Sequence, residues 1–207
     1  MNAYKVNRWV AAWLAAALLT ALASDIVHGA ARAPDEVPES LVETLAAMAS
    51  RADLSSQTQQ PSAWLEAMQP RLAPFLDDID TRLKLLQRIR QEARLAGLSP
   101  QVVLAVIQVE SAFKADAVSS AGALGLMQVM PFWKNVIGRP EDDLLDPGLN
   151  LRYGCTILAH YLQRENGDLT RALARYNGSL GKTWYPERVM RAWIDRWWAP
   201  SIQGSIE

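Results

Sequence analysis

Apolar residues recur along most of this chain at intervals of three and four, the spacing that puts side chains on one face of an α-helix. No alternating apolar–polar run is long enough to read as a strand, and no segment repeats. Leu41, Leu45 and Met48 mark a short helix over 39–52, and a Ser/Gln/Pro stretch at 55–62 reads as a loop. A short helix over 62–69 precedes a long one over 75–95, with Ile79, Leu83, Leu86 and Ile89 on one face. Gly97 ends it, because glycine accepts the left-handed turn that follows many helices. Ser99-Pro100 opens the next helix as N-cap and first-turn proline, and its apolar residues continue to Phe113. The small residues of 117–126 predict a tight turn or loop. Helices are then expected over 126–130, 131–137, 146–165 and 169–177, with a loop over 178–183 and a last amphipathic helix over 184–198. The pattern predicts an all-α fold, an irregular helical globule rather than a regular bundle.

The N-terminus breaks this pattern. Lys5 and Arg8 precede a charge-free run over 9–22, and Ala21-Leu22-Ala23 supplies small residues at its end, as in an export signal. The run is 14 residues long, short of the roughly 20 that span a bilayer. No cysteine follows it, which excludes a lipoprotein anchor. Cleavage near Ser24 and export to the periplasm are expected, an uncleaved inner-membrane anchor being the other reading.

Composition narrows the chemistry. Half of the 207 residues are apolar, enough for a substantial core, and the net charge is −1 without a block of like charges, so no nucleic-acid surface is expected. His28 and His160 are too few for a histidine-based metal site or a Ser-His-Asp triad. Cys155, the only cysteine, forms no intrachain disulfide and shares a face with Leu158 and Leu162, as a buried small hydrophobe would.

Glu110 carries the first chemical signal. Val103, Val106 and Ile107 precede it by seven, four and three residues, so the carboxyl lies on the same helical face as three apolar side chains. Removal from water favours the neutral acid and raises its pKa, which suits a general acid working near neutral pH. Read from periodicity alone, a glutamate ending the stripe at water or beside a basic partner fits as well. The loop Ser119-Ser120-Ala121-Gly122-Ala123-Leu124-Gly125 lets backbone approach a ligand or a neighbouring helix, and it lacks the Gly-Lys-Ser/Thr ending of a phosphate loop. Gln128 is a candidate to orient a sugar hydroxyl or N-acetyl group. Trp133, Trp184 and Tyr185 are candidates for stacking on sugar rings, with core packing the plainer alternative for each.

Glu110-Ser111-x-Phe113, followed by Ser119-x-x-Gly122-Ala123-x-Gly125-Leu126-Met127-Gln128-x-Met130-Pro131, closely resembles the catalytic core of soluble lytic transglycosylases, relatives of goose-type lysozyme. The resemblance continues through Asp146-Pro147, Asn150 and Gly154 to Ala172-Leu173-Ala174-x-Tyr176-Asn177-x-Ser179 and Tyr185-x-x-x-Val189, about half of the chain. It departs at Arg175, where the family usually has Ala, and at Gly178-Ser179, where the family often reads Ala-Gly.

That resemblance implies a lysozyme-like helical catalytic domain with an N-terminal helical extension. The expected organisation is a signal peptide over 1–23, a linker over 24–38, the extension over 39–90, the catalytic domain over 91–198 and a tail over 199–207. It implies Glu110 as the single acid/base, Ser119 beside its carboxylate, and Gln128, Met130, Tyr176 and Asn177 along a saccharide groove. The substrate would be the β-1,4 bond between N-acetylmuramic acid and N-acetylglucosamine in peptidoglycan strands, cleaved to 1,6-anhydromuramoyl ends without water, metal or cofactor. Most glycosidases use two carboxylates, whereas Asp116, the nearest acid in sequence, lies off the Glu110 face. A lysozyme-type hydrolase and a glycan-binding component of a secretion or conjugation apparatus are the competing readings. The small size also suits an enzyme that opens the wall for a transenvelope secretion or conjugation machine.

Overall fold

The computed structural model describes residues 63–199. The expected signal peptide, linker, 39–52 helix and 55–62 loop, and the tail after Ala199, lie outside the described residues. Within them the chain forms α1 (Ala63–Leu72), α2 (Ile79–Leu95), α3 (Pro100–Glu110), a 3-10 turn (Pro131–Trp133) running into the single turn α4 (Lys134–Ile137), α5 (Pro147–Arg164), α6 (Leu169–Tyr176), α7 (Trp184–Ala192) and a π turn (Trp193–Trp197). The fold is all-α: the described residues hold no strand, only isolated bridges from Val118 to Leu124 and from Leu124 to Val129. No helix among them is long and apolar enough to cross a membrane.

Local signals set most boundaries. Asp146 and Asp168 cap α5 and α6, accepting from the Leu149 and Arg171 backbone N–H at 2.7 and 3.0 Å. Gly97, at φ +69°, closes α2, with Leu98 N donating to Ala93 O at 2.8 Å and Gly97 N to Arg94 O at 3.1 Å, a Schellman motif. Ser99 and Pro100 open α3 as expected, although the Ser99 hydroxyl donates to Gln101 Oε1 rather than capping the helix.

Several expectations are corrected. The long helix starts at Ile79, not at 75, because the Asp78 carboxylate accepts from Thr81 N at 2.7 Å and caps it there. Its buried line is accordingly Arg82, Leu86, Ile89 and Ala93, while Ile79 lies exposed at the first turn. Residues 126–130 are not helical. Leu124 and Val129 exchange backbone hydrogen bonds at 3.0 and 2.9 Å, and the chain between them turns back with Gly125 and Gln128 in the left-handed region. The last helix is α-helical only to Ala192, and its final turn widens into the π turn.

α3 is the centre of the fold. Every residue from Pro100 to Ile107 is buried, so the helix is enclosed all round rather than along the single face its periodicity indicated. α2, α7 and the π turn pack directly on it, and α5 packs against α2 and α6. α2 runs unbroken through residue 90, and the buried Glu92 ties it to α5 through Arg152 at 3.2 Å and to its own Arg88 at 2.9 Å.

α3 ends at Glu110, three residues before the expected stop. Ser111 turns its hydroxyl back to Ile107 O at 3.2 Å and across to Leu126 O at 2.8 Å. Ala112 and Phe113 then follow at φ +49° and +64°. Left-handed backbone at residues other than glycine costs about 1–3 kcal/mol each and persists only where surrounding contacts hold it.

Candidate active site

Glu110 is the last residue of α3, at the point where a fully buried helix reaches a half-buried position. Two later helices converge there. The first turn of α7 brings Tyr185, 1% exposed, whose hydroxyl donates to Glu110 Oε1 at 2.5 Å. The end of α6 brings Tyr176, whose hydroxyl donates to Met127 O at 2.7 Å. Burial pushes the Glu110 carboxyl up to about 7, against the Tyr185 hydrogen bond and the nearby Arg188 guanidinium, which both favour the charged form. Burial, and then the Glu110 charge, hold both tyrosine hydroxyls well above their ordinary pKa, so each is a hydrogen-bond donor throughout the physiological range.

The loop over 117–130 is fastened from beneath. Asn150, wholly buried in α5, accepts from Met127 N at 2.8 Å and donates to Leu124 O and Leu144 O, both at 2.8 Å. Gly125 is required there: a Cβ would collide with the Asn150 amide and with Leu144 O at 2.7 Å, and its φ is +71°. Gln128 donates from Nε2 to Ala117 O at 3.2 Å and Gly125 O at 2.9 Å. Its amide nitrogen therefore closes the loop, and its Oε1 takes part in neither bond. Ser119 Oγ accepts from Ala123 N at 3.0 Å, inside the same loop, and the Glu110 carboxylate accepts from Tyr185. Met130 is half-buried at the entry to the 3-10 turn, and Asn177 caps the C-terminus of α6 beside Tyr176.

The aromatic candidates separate by exposure. Tyr185 is buried under the carboxyl and Trp133 is 6% exposed against Phe132, so neither offers a free ring face. Trp184 is 45% exposed and meets Tyr185 edge-on at 5.8 Å. Cys155 has no exposure, and burial drives its thiol far up, as fits a packed core residue. Two other carboxylates are already engaged: Asp142 accepts from Tyr153 Oη at 2.5 Å and Arg139 N at 3.1 Å, and Asp143 accepts from Leu145 N at 2.9 Å. Arg175, the departure before Tyr176-Asn177, pairs with the Glu165 carboxylate together with Arg171.

Sequence reasoning missed the Tyr185–Glu110 contact. Its only linear signal was Tyr185-x-x-x-Val189, a spacing that places both residues on one face of α7, where both are buried. Asn150 stood in the motif, but its work as the anchor of the 124–127 turn needs three chain segments at once.

The transglycosylase of Enterobacteria phage PRD1 is 35% identical over 102 residues, which are 46% of this chain and 37% of that protein. The membrane-bound lytic murein transglycosylase C of Yersinia enterocolitica is 33% identical over 114 residues, 47% of this chain and 32% of that protein. The chain thus spans about a third of the length of these curated relatives. A crystal structure of an inactive mutant of the lytic transglycosylase Slt from Pseudomonas aeruginosa aligns at 22% identity and a TM-score of 0.42, covering 88% of this chain and 36% of that one. The family model described as the Transglycosylase SLT domain matches residues 87–192, which take in Glu110, the fastened loop, Tyr176 and Tyr185. That match spans half of the sequence, and the chain belongs to the Transglycosylase SLT domain family.

Proposed function

We propose that this protein is an exported lytic transglycosylase that cleaves the bond between N-acetylmuramic acid and N-acetylglucosamine in peptidoglycan, with Glu110 as its one acid and base. The observation that carries the reading is the state of Glu110. Burial keeps its carboxyl protonated up to about pH 7, and among the described residues the charged group acting on it is Arg188, not a second carboxylate.

The reaction follows from that state. Protonated Glu110 donates to the glycosidic oxygen as the bond to the muramic acid anomeric carbon breaks, and N-acetylglucosamine leaves with a free hydroxyl. The oxygen of the substrate's own N-acetyl group meets the positive anomeric carbon. The Glu110 carboxylate, accepting the Tyr185 hydrogen bond, then removes the proton of the 6-hydroxyl. The 6-oxygen attacks the anomeric carbon and releases the acetyl oxygen, so Glu110 ends protonated and no water is consumed. The 6-hydroxyl is tethered to the reacting ring, and tethering is worth effective molarities of up to about 10⁵–10⁸ M.

Ser119, Gln128, Met130, Tyr176 and Asn177 are assigned to the saccharide groove, with Trp184 offering its exposed face to a neighbouring sugar. The periplasm is the compartment that holds this substrate, in keeping with the basic and apolar N-terminus. A transenvelope secretion or conjugation machine, which must pass the peptidoglycan layer, is a fitting partner for such an enzyme. Digestion of purified peptidoglycan, followed by borohydride reduction and mass spectrometry, tests the proposal. Anhydro ends resist reduction and are expected to dominate; reducible muramic acid ends would make the protein a hydrolase.

A further inference from the structure

The chain leaves Glu110 through two successive left-handed residues, Ala112 and Phe113, neither of them glycine. Such a turn needs an external hold. Phe113 is 2% exposed and packs between two rings, Phe75 at 4.9 Å and Trp197 at 5.6 Å between centroids. Trp197 has no exposure, and its indole Nε1 donates to Gln108 Oε1 at 2.9 Å, two residues before Glu110. Glu110 is therefore gripped on both sides along the chain.

Phe75 and Trp197 both lie outside the matched family segment 87–192, one before it and one after it. The two flanks are also joined to each other. Arg71 donates to Arg196 O at 3.0 Å and to Trp198 O at 2.9 Å, and Arg196 donates back to Arg71 O at 3.3 Å. The Arg196 guanidinium lies over the Phe75 ring at 5.2 Å.

We infer that the segments flanking the family domain close into a brace that holds Glu110 withdrawn from water, with Phe75 and Trp197 as its positioning residues. The inference deepens the role of Glu110 in the proposed function and rests on it for activity, but not for its primary readout. The groups facing the carboxyl are Tyr185 and Arg188 on α7 and Tyr176 on α6, and none belongs to the brace. A loosened brace therefore acts on Glu110 through its hydration, and hydration favours the charged form.

The test titrates the Glu110 side chain by carbon-13 NMR in the full chain, without substrate, alongside peptidoglycan turnover. Phe75→Ala should lower the Glu110 midpoint by about one pH unit toward the ordinary carboxyl value. It should also reduce kcat by about tenfold or more with KM nearly unchanged, because a misplacement of about 1 Å can cost about 100-fold. Phe75→Tyr, which keeps a ring, should restore both. Leu158→Ala, in the α5 core, should lower the melting temperature and leave the midpoint in place. Trp197→Phe keeps an aromatic ring, though a smaller one, and removes the bond to Gln108; it should shift the midpoint the same way by less, and serves if Phe75→Ala does not fold. An unmoved midpoint in the Phe75 and Trp197 variants, or an equal shift in Leu158→Ala, would overturn the brace. Shifted midpoints in the variants, with a wild-type protein that cleaves no peptidoglycan, would sustain the brace and sink the enzyme reading.

Discussion

The Tyr185 hydroxyl donates to Glu110 Oε1 at 2.5 Å across 75 residues of chain. The bond joins the first turn of α7 to the last residue of α3 and gives the half-buried carboxylate a fixed donor. Burial raises the Glu110 pKa, and this bond lowers it by a lesser amount. The balance of the two leaves a group able both to give and to retrieve a proton near neutrality.

Replacing Glu110 with glutamine should abolish peptidoglycan cleavage while the fold persists, because an amide of the same shape neither donates nor retrieves the proton. The variant also carries a stability signature. The folded midpoint, about 7, lies above the ordinary 4.5. Between those values the unfolded chain has released a proton that the folded chain keeps, so wild-type stability falls as pH rises through this window and stays reduced above it. Glu110→Gln should lack that fall and be the more stable protein at pH 8 by urea denaturation. Cleavage by the purified variant would remove Glu110 from the chemistry.

Tyr185→Phe should move the Glu110 midpoint upward, above about 7, since the lost hydroxyl supported the charged form. A hydrogen bond to a charged group contributes about 1.5–3 kcal/mol, so the variant should lose about that much stability at pH 8 and less at pH 5. NMR titration of the carboxyl together with unfolding at both pH values checks this. A midpoint that stays at its wild-type value would mean that the bond does not form in solution.

Ser119→Ala removes the acceptor for Ala123 N and should cost about 0.5–1.5 kcal/mol, the net worth of an ordinary hydrogen bond. Turnover should fall by about tenfold, a smaller loss than for Glu110→Gln, as general acid–base catalysis is worth about 10²–10⁴. Turnover equal to wild type would take the 119–123 loop out of the site.

Arg175→Ala installs the residue usual in the family and leaves Glu165 with Arg171 alone. Arg175 and then Arg171 hold the Glu165 carboxyl below its ordinary 4.5, so the pairing stabilises the fold above that pH and is lost as pH falls through the depressed folded midpoint. The variant should be less stable than wild type at pH 7 and match it in strong acid, as read by urea denaturation at both pH values, with peptidoglycan turnover unchanged. A large turnover loss would place Arg175 in the substrate groove.

Local chemistry was legible in the linear sequence. Asp146, Asp168, Gly97 and Ser99-Pro100 mark helix ends because a cap or a left-handed turn involves residues within a few positions of one another. The spacing of Glu110, Gly125, Gln128 and Tyr176-Asn177 carried the family resemblance for the same reason: each piece of that pattern is short and each piece is ordered.

Long-range pairing decided the rest. Phe75 stands outside α2, which starts at the Asp78 cap, and the place its ring takes instead, against Phe113 and Trp197, is set by segments far along the chain. Residues 126–130 have the composition of a helix and become a turn because Leu124 finds Val129 and Asn150 claims the carbonyls and amides around them. The periodicity of α3 indicates one apolar face, and its enclosure on all sides depends on α2, α7 and the π turn arriving from distant parts of the chain. Tyr185 reaches Glu110 only when α7 closes on α3. Periodicity reports which side of a helix is apolar; which side chain from another segment meets it is set by packing in three dimensions, and that packing determines the hydration and the proton affinity of Glu110.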